Sequence, residues 1–148
     1  MKTSINSSSA AETMAFGRVL ASVLPLGKTV LLTGDLGAGK TTLVRGMAQA
    51  LHIQDKVQSP TFNIMKLYLK ADKPLIHIDA YRLKDVNQDI GLDEYIGYES
   101  GLTVIEWPEY IEDLLPSNCV KISIYHSGGD NRSIEIDCEG DLLKKIVP

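Results

Sequence analysis

Residues Gly34 to Thr42 read GDLGAGKTT, which sets two glycines, a lysine and a hydroxyl in the spacing Gly34-x4-Gly39-Lys40-Thr41. Each residue type has a physical part to play against a phosphate chain. The glycines permit backbone conformations and a closeness of approach that a Cβ would forbid, so successive N–H groups of Leu36, Gly37, Ala38 and Gly39 can wrap an oxyanion. Lys40 is a point charge for the β- and γ-phosphates, the Thr41 hydroxyl is placed to coordinate Mg²⁺, and Thr42 to touch the α-phosphate. A helix starting near Lys40 adds its positive dipole end. The motif predicts a P-loop that holds ATP or ADP with Mg²⁺; the competing account is a chance match in an ordinary glycine turn.

Such a loop also needs an acidic residue at the end of a neighbouring strand, to hold the metal or orient the attacking water. In LTVIEW, Leu102 to Ile105 form an apolar strand that ends in Glu106, from which a carboxylate reaches the C-terminal edge of a sheet. The bland alternative is a solvated strand-end glutamate. HIDAYR, His77 to Arg82, holds a second candidate, because strand alternation puts His77, Asp79 and Tyr81 on one face. Asp79 then serves as an outer Mg²⁺ partner or water positioner, or else it caps a turn while His77 and Tyr81 are satisfied in the core. Lys40, Glu106 and Asp79 are the candidate catalytic residues, and Thr41 and Glu106 the candidate metal ligands. SPTF, Ser59 to Phe62, stands where many P-loop proteins keep a switch segment, with Thr61 as γ-phosphate sensor or as a plain strand start.

The elements that must position these residues are legible as patterns. TVLLT, Thr29 to Thr33, is a short apolar run rich in β-formers, as expected of a central strand covered on both faces. The glycine loop follows at once, and Leu43, Val44, Met47, Ala48 and Leu51 then repeat with helical spacing. Upstream, Ser9 and Glu12 fit a capping box, and Phe16, Val19, Leu20, Val23 and Leu24 form one apolar stripe until Pro25 stops the helix. Further strands are expected near Phe62 to Leu69, Leu75 to Asp79, Leu102 to Glu106, Val120 to Tyr125 and Ser133 to Cys138. Ala71 to Pro74 and His126 to Asn131 suit hairpin connections, Pro108 opens a short helix to Leu115, and DLLKKIV forms a terminal helix. The sum is an α/β fold, a P-loop NTPase-like three-layer sandwich whose sheet mixes parallel and antiparallel strands.

At 148 residues the chain suits one compact domain, residues 1–148. No stretch approaches the roughly 18 consecutive apolar residues of a membrane span, and MKTSINSSSAAE lacks the apolar core of a secretory signal, so a cytoplasmic protein is expected. A net charge of -4, with no basic run interleaved with aromatics, argues against direct nucleic-acid binding. Cys119 and Cys138 form no CxxC pair and read as small buried thiols.

In this order and at these spacings GDLGAGKTT, SPTF, HIDAYR and VIEWPE resemble the TsaE family of small bacterial ATPases, formerly called YjeE, over nearly the whole chain. The resemblance implies a role in threonylcarbamoyladenosine (t6A) modification of tRNA next to the anticodon, together with TsaB and TsaD, with tRNA met only through that complex. It implies that Lys40 and Thr41 are the phosphate and Mg²⁺ residues, that Glu106 is the acidic Mg²⁺ ligand, and that Trp107 flanks the site. By the same resemblance Arg132 and the start of the first helix, Ala11 to Thr13, contact the nucleotide. A small P-loop kinase is the first alternative, but it needs a phosphoacceptor site and an arginine-bearing lid, and the arginines are only Arg18, Arg45, Arg82 and Arg132. A GTPase would carry an NKxD motif, which does not occur. A non-catalytic nucleotide-sensing module is the alternative of a different class, and it has no need of Glu106.

Overall fold

The computed structural model describes residues 1–35, 37–54, 57, 64–69, 73–83 and 91–148. Among these residues seven strands, β1 Lys2–Ser7, β2 Thr29–Gly34, β3 Met65–Tyr68, β4 Leu75–Asp79, β5 Leu102–Glu106, β6 Val120–His126 and β7 Arg132–Asp137, form one sheet in the order β1-β7-β6-β2-β5-β4-β3. The four strands β6, β2, β5 and β4 run parallel, while β3, β7 and β1 join antiparallel. The mixed sheet agrees with the expected α/β class. Because β2 lies between two parallel neighbours, the glycine loop leaves the sheet at its carboxyl edge, where open α/β sheets form their crevices.

Helices α1 Ala10–Val23, α2 Lys40–Ala50 and α3 Gly140–Ile146 share one face of the sheet. Alternation decides which strand residues meet them: Val30 and Leu32 of β2, Val104 of β5, Ile122 and Ile124 of β6, and Ile134 and Ile136 of β7 are buried against Phe16, Leu20, Leu43, Met47 and Leu143. The opposite face buries Leu31, Ile76, Ile78 and Ile105 under short 3₁₀ segments, Tyr81–Leu83, Leu92–Glu94 and Pro108–Leu114. The third layer of the sandwich is therefore thin among the described residues, and Lys121 and Tyr125 on that face of β6 stay exposed.

Ser9 caps α1 as its sequence predicts, its side chain accepting the Glu12 N–H at 3.1 Å, while the Glu12 carboxylate accepts from Ser8 rather than from the cap residue. Leu24 is already extended, as a residue before proline prefers. Within the apolar stripe Phe16, Leu20 and Leu24 are buried, but Val19 is 42% exposed and lies off the core. The tightest packing is between α1 and α2. A Cβ at Gly17 would strike the Leu43 carbonyl oxygen, and one at Gly46 would strike that of Met14. These reciprocal glycines let the two backbones touch.

Three elements depart from expectation in kind and two in their bounds. Lys2–Ser7 is a strand although Ile5 is its one apolar residue, because β7 offers it a full antiparallel ladder. Tyr81 does not continue β4; it begins the 3₁₀ segment and is 43% exposed. The segment after Pro108 is 3₁₀ helix broken at Ile111. Terminal helix α3 begins at Gly140, and β7 begins one residue early, at Arg132. The expected switch segment Ser59 to Phe62, with Thr61, lies outside the described residues, as does Leu36.

Candidate functional site

Past the end of β2 the chain turns at Gly37 (φ 81°) and Gly39 (φ 111°), conformations in which a side chain would be strained. Gly39 caps α2 without any side-chain bond to its first turn, so the N–H groups at the head of the helix have no intrahelical acceptor. Ala38 N–H closes the loop on Asp35 O at 3.0 Å.

Two distant segments clamp this loop. Arg132, the first residue of β7, donates through Nε to Ala38 O at 2.8 Å and through a terminal nitrogen to Gly37 O at 3.4 Å, while its other nitrogen bonds Gly129 O and Asn131 O. Thr13 approaches from α1: its methyl and Arg132 Nε each lie 3.9 Å from the position a Gly39 Cβ would take. Thr13 is itself fixed by a 2.7 Å hydrogen bond between its hydroxyl and that of Ser7. Ala11, two residues earlier, is exposed and makes no part of the neighbouring 420 Å³ cavity, whose lining includes Ser7, Ser8, Glu12, Asn131 and Arg132. The motif, the start of α1 and Arg132, remote in sequence, are brought together here.

Below the loop lies a buried charge cluster. Lys40, His77, Asp79 and Glu106 all point to the α2 side of the sheet, and none is more than 9% exposed. Lys40 Nζ is 3.6 Å from Glu106 Oε1 and 4.8 Å from the centre of the Trp107 ring. His77 Nε2 is 2.7 Å from Glu106 Oε2. Burial by itself pushes the Glu106 carboxyl up, but the His77 hydrogen bond, the His77 charge and the Lys40 charge together outweigh it and hold the group below its ordinary value. Asp79 stands opposite Glu106 in the β4–β5 register and accepts the Tyr81 N–H at 3.0 Å, so it caps a turn and shares the cluster at once. Thr41 and Thr42 are half-buried in the first turn of α2.

Trp107, just past the end of β5, takes left-handed backbone geometry (φ 57°) and packs against the Ile105 face of the sheet. Its ring packs with Tyr81 at 5.1 Å and stacks on Tyr110 at 6.1 Å, forming an aromatic wall beside Lys40. Two contributors escaped the sequence reading: Ser7, through its bond to Thr13, and the pairing of His77 with Glu106. Alternation did place His77 on the face of Asp79, but the partner strand was not readable.

Asp79 and Glu106, two buried carboxylates side by side in the β4–β5 register, are hard oxygen donors of the kind Mg²⁺ takes, and Thr41 brings a hydroxyl in the first turn of α2. The residues present fit that ion.

Comparison with known proteins gives this arrangement its lineage. A family model described as "Threonylcarbamoyl adenosine biosynthesis protein TsaE" matches residues 7–134. The chain belongs to the TsaE family. The TsaE of Bacillus subtilis (strain 168) is 42% identical over 135 residues, spanning 91% of this chain and 85% of that protein. The TsaE of Treponema pallidum (strain Nichols) is 39% identical over 132 residues, 88% of this chain and 96% of the relative. Among solved structures, the crystal structure of Bacillus subtilis YdiB superposes with a TM-score of 0.83 at 33% identity, covering 99% of this chain and 94% of that one. The span of the TsaE match takes in α1, the glycine loop, the charge cluster and Arg132, so the whole site falls inside the family's common region. No described helix of this TsaE-family protein is long and apolar enough to cross a membrane.

Proposed function

We propose that this protein is a Mg²⁺-dependent ATPase acting in t6A modification of tRNA together with TsaB and TsaD. The observation that carries the reading is the 3.6 Å approach of Lys40 Nζ to Glu106 Oε1 at the foot of a glycine loop. It brings the phosphate-seeking cation and the metal-seeking carboxylate of a P-loop site to one point. Lys40 neutralises charge on the β- and γ-phosphates, and the free N–H groups at the head of α2 together with the loop enclose them. Thr41 and Glu106 hold Mg²⁺, with Asp79 beside them to orient water; the bound ion supplies positive charge to the phosphate oxygens. Arg132 and Thr13 keep the loop in shape and flank the nucleotide.

Partner dependence has its own support. An arginine delivered to the γ-phosphate is worth about 10³ to 10⁵ in rate in other P-loop proteins. Here Arg18 is bound to Gln49, Arg45 to Val57 O and Arg132 to the loop carbonyls, so these three have other duties. Completion of the site from outside agrees with that and with membership of a biosynthetic family. The test is a steady-state assay of ATP and GTP hydrolysis by the chain alone and with purified TsaB and TsaD. We expect slow turnover alone, preference for ATP, and a change of rate or a trapped nucleotide state with the partners. Turnover near the enzyme median of about 10 s⁻¹ that ignores the partners overturns the reading in favour of a self-sufficient enzyme.

A further inference from the structure

His77 has no part in the mechanism so far, yet it is the most enclosed polar side chain of the cluster. It has no solvent exposure, its Nε2 lies 2.7 Å from Glu106 Oε2, and among the described residues its Nδ1 has no hydrogen-bond partner. A carboxylate can only accept, so Nε2 carries the shared proton. A buried ring nitrogen without a partner is a desolvation cost that an apolar side chain of similar size would not incur. Core filling therefore gives no reason for an imidazole at this position.

The two oxygens of Glu106 have different kinds of partner. Oε2 is bound by His77, which is immobilised in β4 between buried neighbours. Oε1 faces Lys40, whose long side chain springs from the head of α2 and can leave. One contact is short and made by a ring anchored in a strand, the other longer and made by the tip of a flexible side chain. We propose that His77 is the positioning residue of Glu106: it holds Oε2 so that Oε1 alone is offered, to Lys40 or to a divalent cation. The inference rests on the nucleotide-and-metal reading above and adds to it the residue that aims the carboxylate. Asp79, opposite Glu106, has its Oδ1 tied to the Tyr81 N–H, so both acids at this edge are oriented through one oxygen.

The test uses the full chain, Mn²⁺ as the probe and a non-hydrolysable ATP analogue. Free Mn²⁺ is counted by electron paramagnetic resonance, and analogue affinity in EDTA is measured separately by calorimetry. His77→Met keeps the volume and removes the donor; His77→Gln keeps an N–H. Loss of an outer partner of a metal ligand typically weakens metal binding about 10- to 100-fold, and that is the loss expected for His77→Met, with analogue affinity in EDTA unchanged and much of the Mn²⁺ affinity recovered in His77→Gln. A merely structural role would lower the melting temperature of both variants and leave Mn²⁺ affinity of the folded protein unmoved. Unchanged Mn²⁺ affinity in His77→Met, or a His77→Gln variant as weak as His77→Met, overturns the assignment. A wild-type chain that holds no Mn²⁺ with the analogue overturns instead the metal-nucleotide reading on which it stands. A measurement on the wild type covers the case in which His77→Met does not fold: the His77 Nε2–H resonance should keep its hydrogen-bonded shift when Mg²⁺ and analogue are added, and its loss to solvent exchange overturns the proposal.

Discussion

Lys40 and Glu106, 66 positions apart in sequence, meet at 3.6 Å beneath the glycine loop, and each is buried. The lysine at the head of α2 and the glutamate at the end of β5 are held there by the parallel register of β2 and β5, which sets Leu32 opposite Glu106.

Replacing Lys40 with Ala should abolish ATP binding while leaving the fold intact, because Glu106 keeps its bond to His77. Lys40 also lies over Trp107, the one tryptophan of the chain, so indole emission should change when Mg-ATP draws the cation away. Calorimetry and a fluorescence titration check both. Normal affinity in Lys40→Ala, or a silent tryptophan in the wild type, counts against the site.

The Glu106 carboxyl lies below its ordinary value in the folded protein. In the unfolded chain it titrates near the free value of about 4.3. The unfolded state thus binds more protons in the acid range, and stability contributed by Glu106 is present above that value and lost as pH falls through the lower folded one. Melting curves across the acid range should show a steeper loss for wild type than for Glu106→Gln. Parallel curves contradict the shift. The same variant should still bind nucleotide but lose Mg²⁺-dependent turnover.

Gly46→Ala sets two effects against each other. Helix propensity favours alanine by about 1 kcal/mol. The new Cβ, however, meets the Met14 carbonyl oxygen, a backbone atom that cannot swing aside. Overpacking of this kind costs about 1–3 kcal/mol, so net destabilisation is expected, and the displaced α1 should carry Thr13 away from Gly39 and weaken nucleotide binding. Thermal denaturation and calorimetry decide; a more stable variant with full affinity would show that the helices part freely.

Arg132→Lys should fail to replace arginine. The guanidinium serves carbonyls of Gly37, Ala38, Gly129 and Asn131 at once, a fork that one ammonium cannot reproduce. Losing one charge-assisted bond costs about 1.5–3 kcal/mol, which corresponds to roughly tenfold or more in ADP affinity if the loop is what Arg132 supports. Wild-type affinity in Arg132→Lys would reduce the residue to a hairpin brace.

How much of this was legible beforehand follows from the range of the forces involved. Gly-x4-Gly-Lys-Thr is local chemistry: the glycine geometry, the helix start and the charge are written within nine residues, and the structure realises them in place. The apolar runs of β2 and β5 and the cap at Ser9 are equally local, since alternation and capping depend on neighbours in sequence. Strand β1 was not legible, because KTSINS has little apolar signal and becomes a strand only when β7 offers it hydrogen-bond partners. Tyr81 misled for the opposite reason: alternation continued on paper, but the chain turned where Asp79 accepted its N–H. Within the candidate site, the sequence determined which side-chain types stand at each position, while strand order alone decided who faces whom. Glu106 has a bond to His77, a place beside Asp79 and a contact with Lys40 because β4, β5 and β2 lie adjacent and parallel, and sheet adjacency is a property of the folded whole that no spacing along the chain encodes.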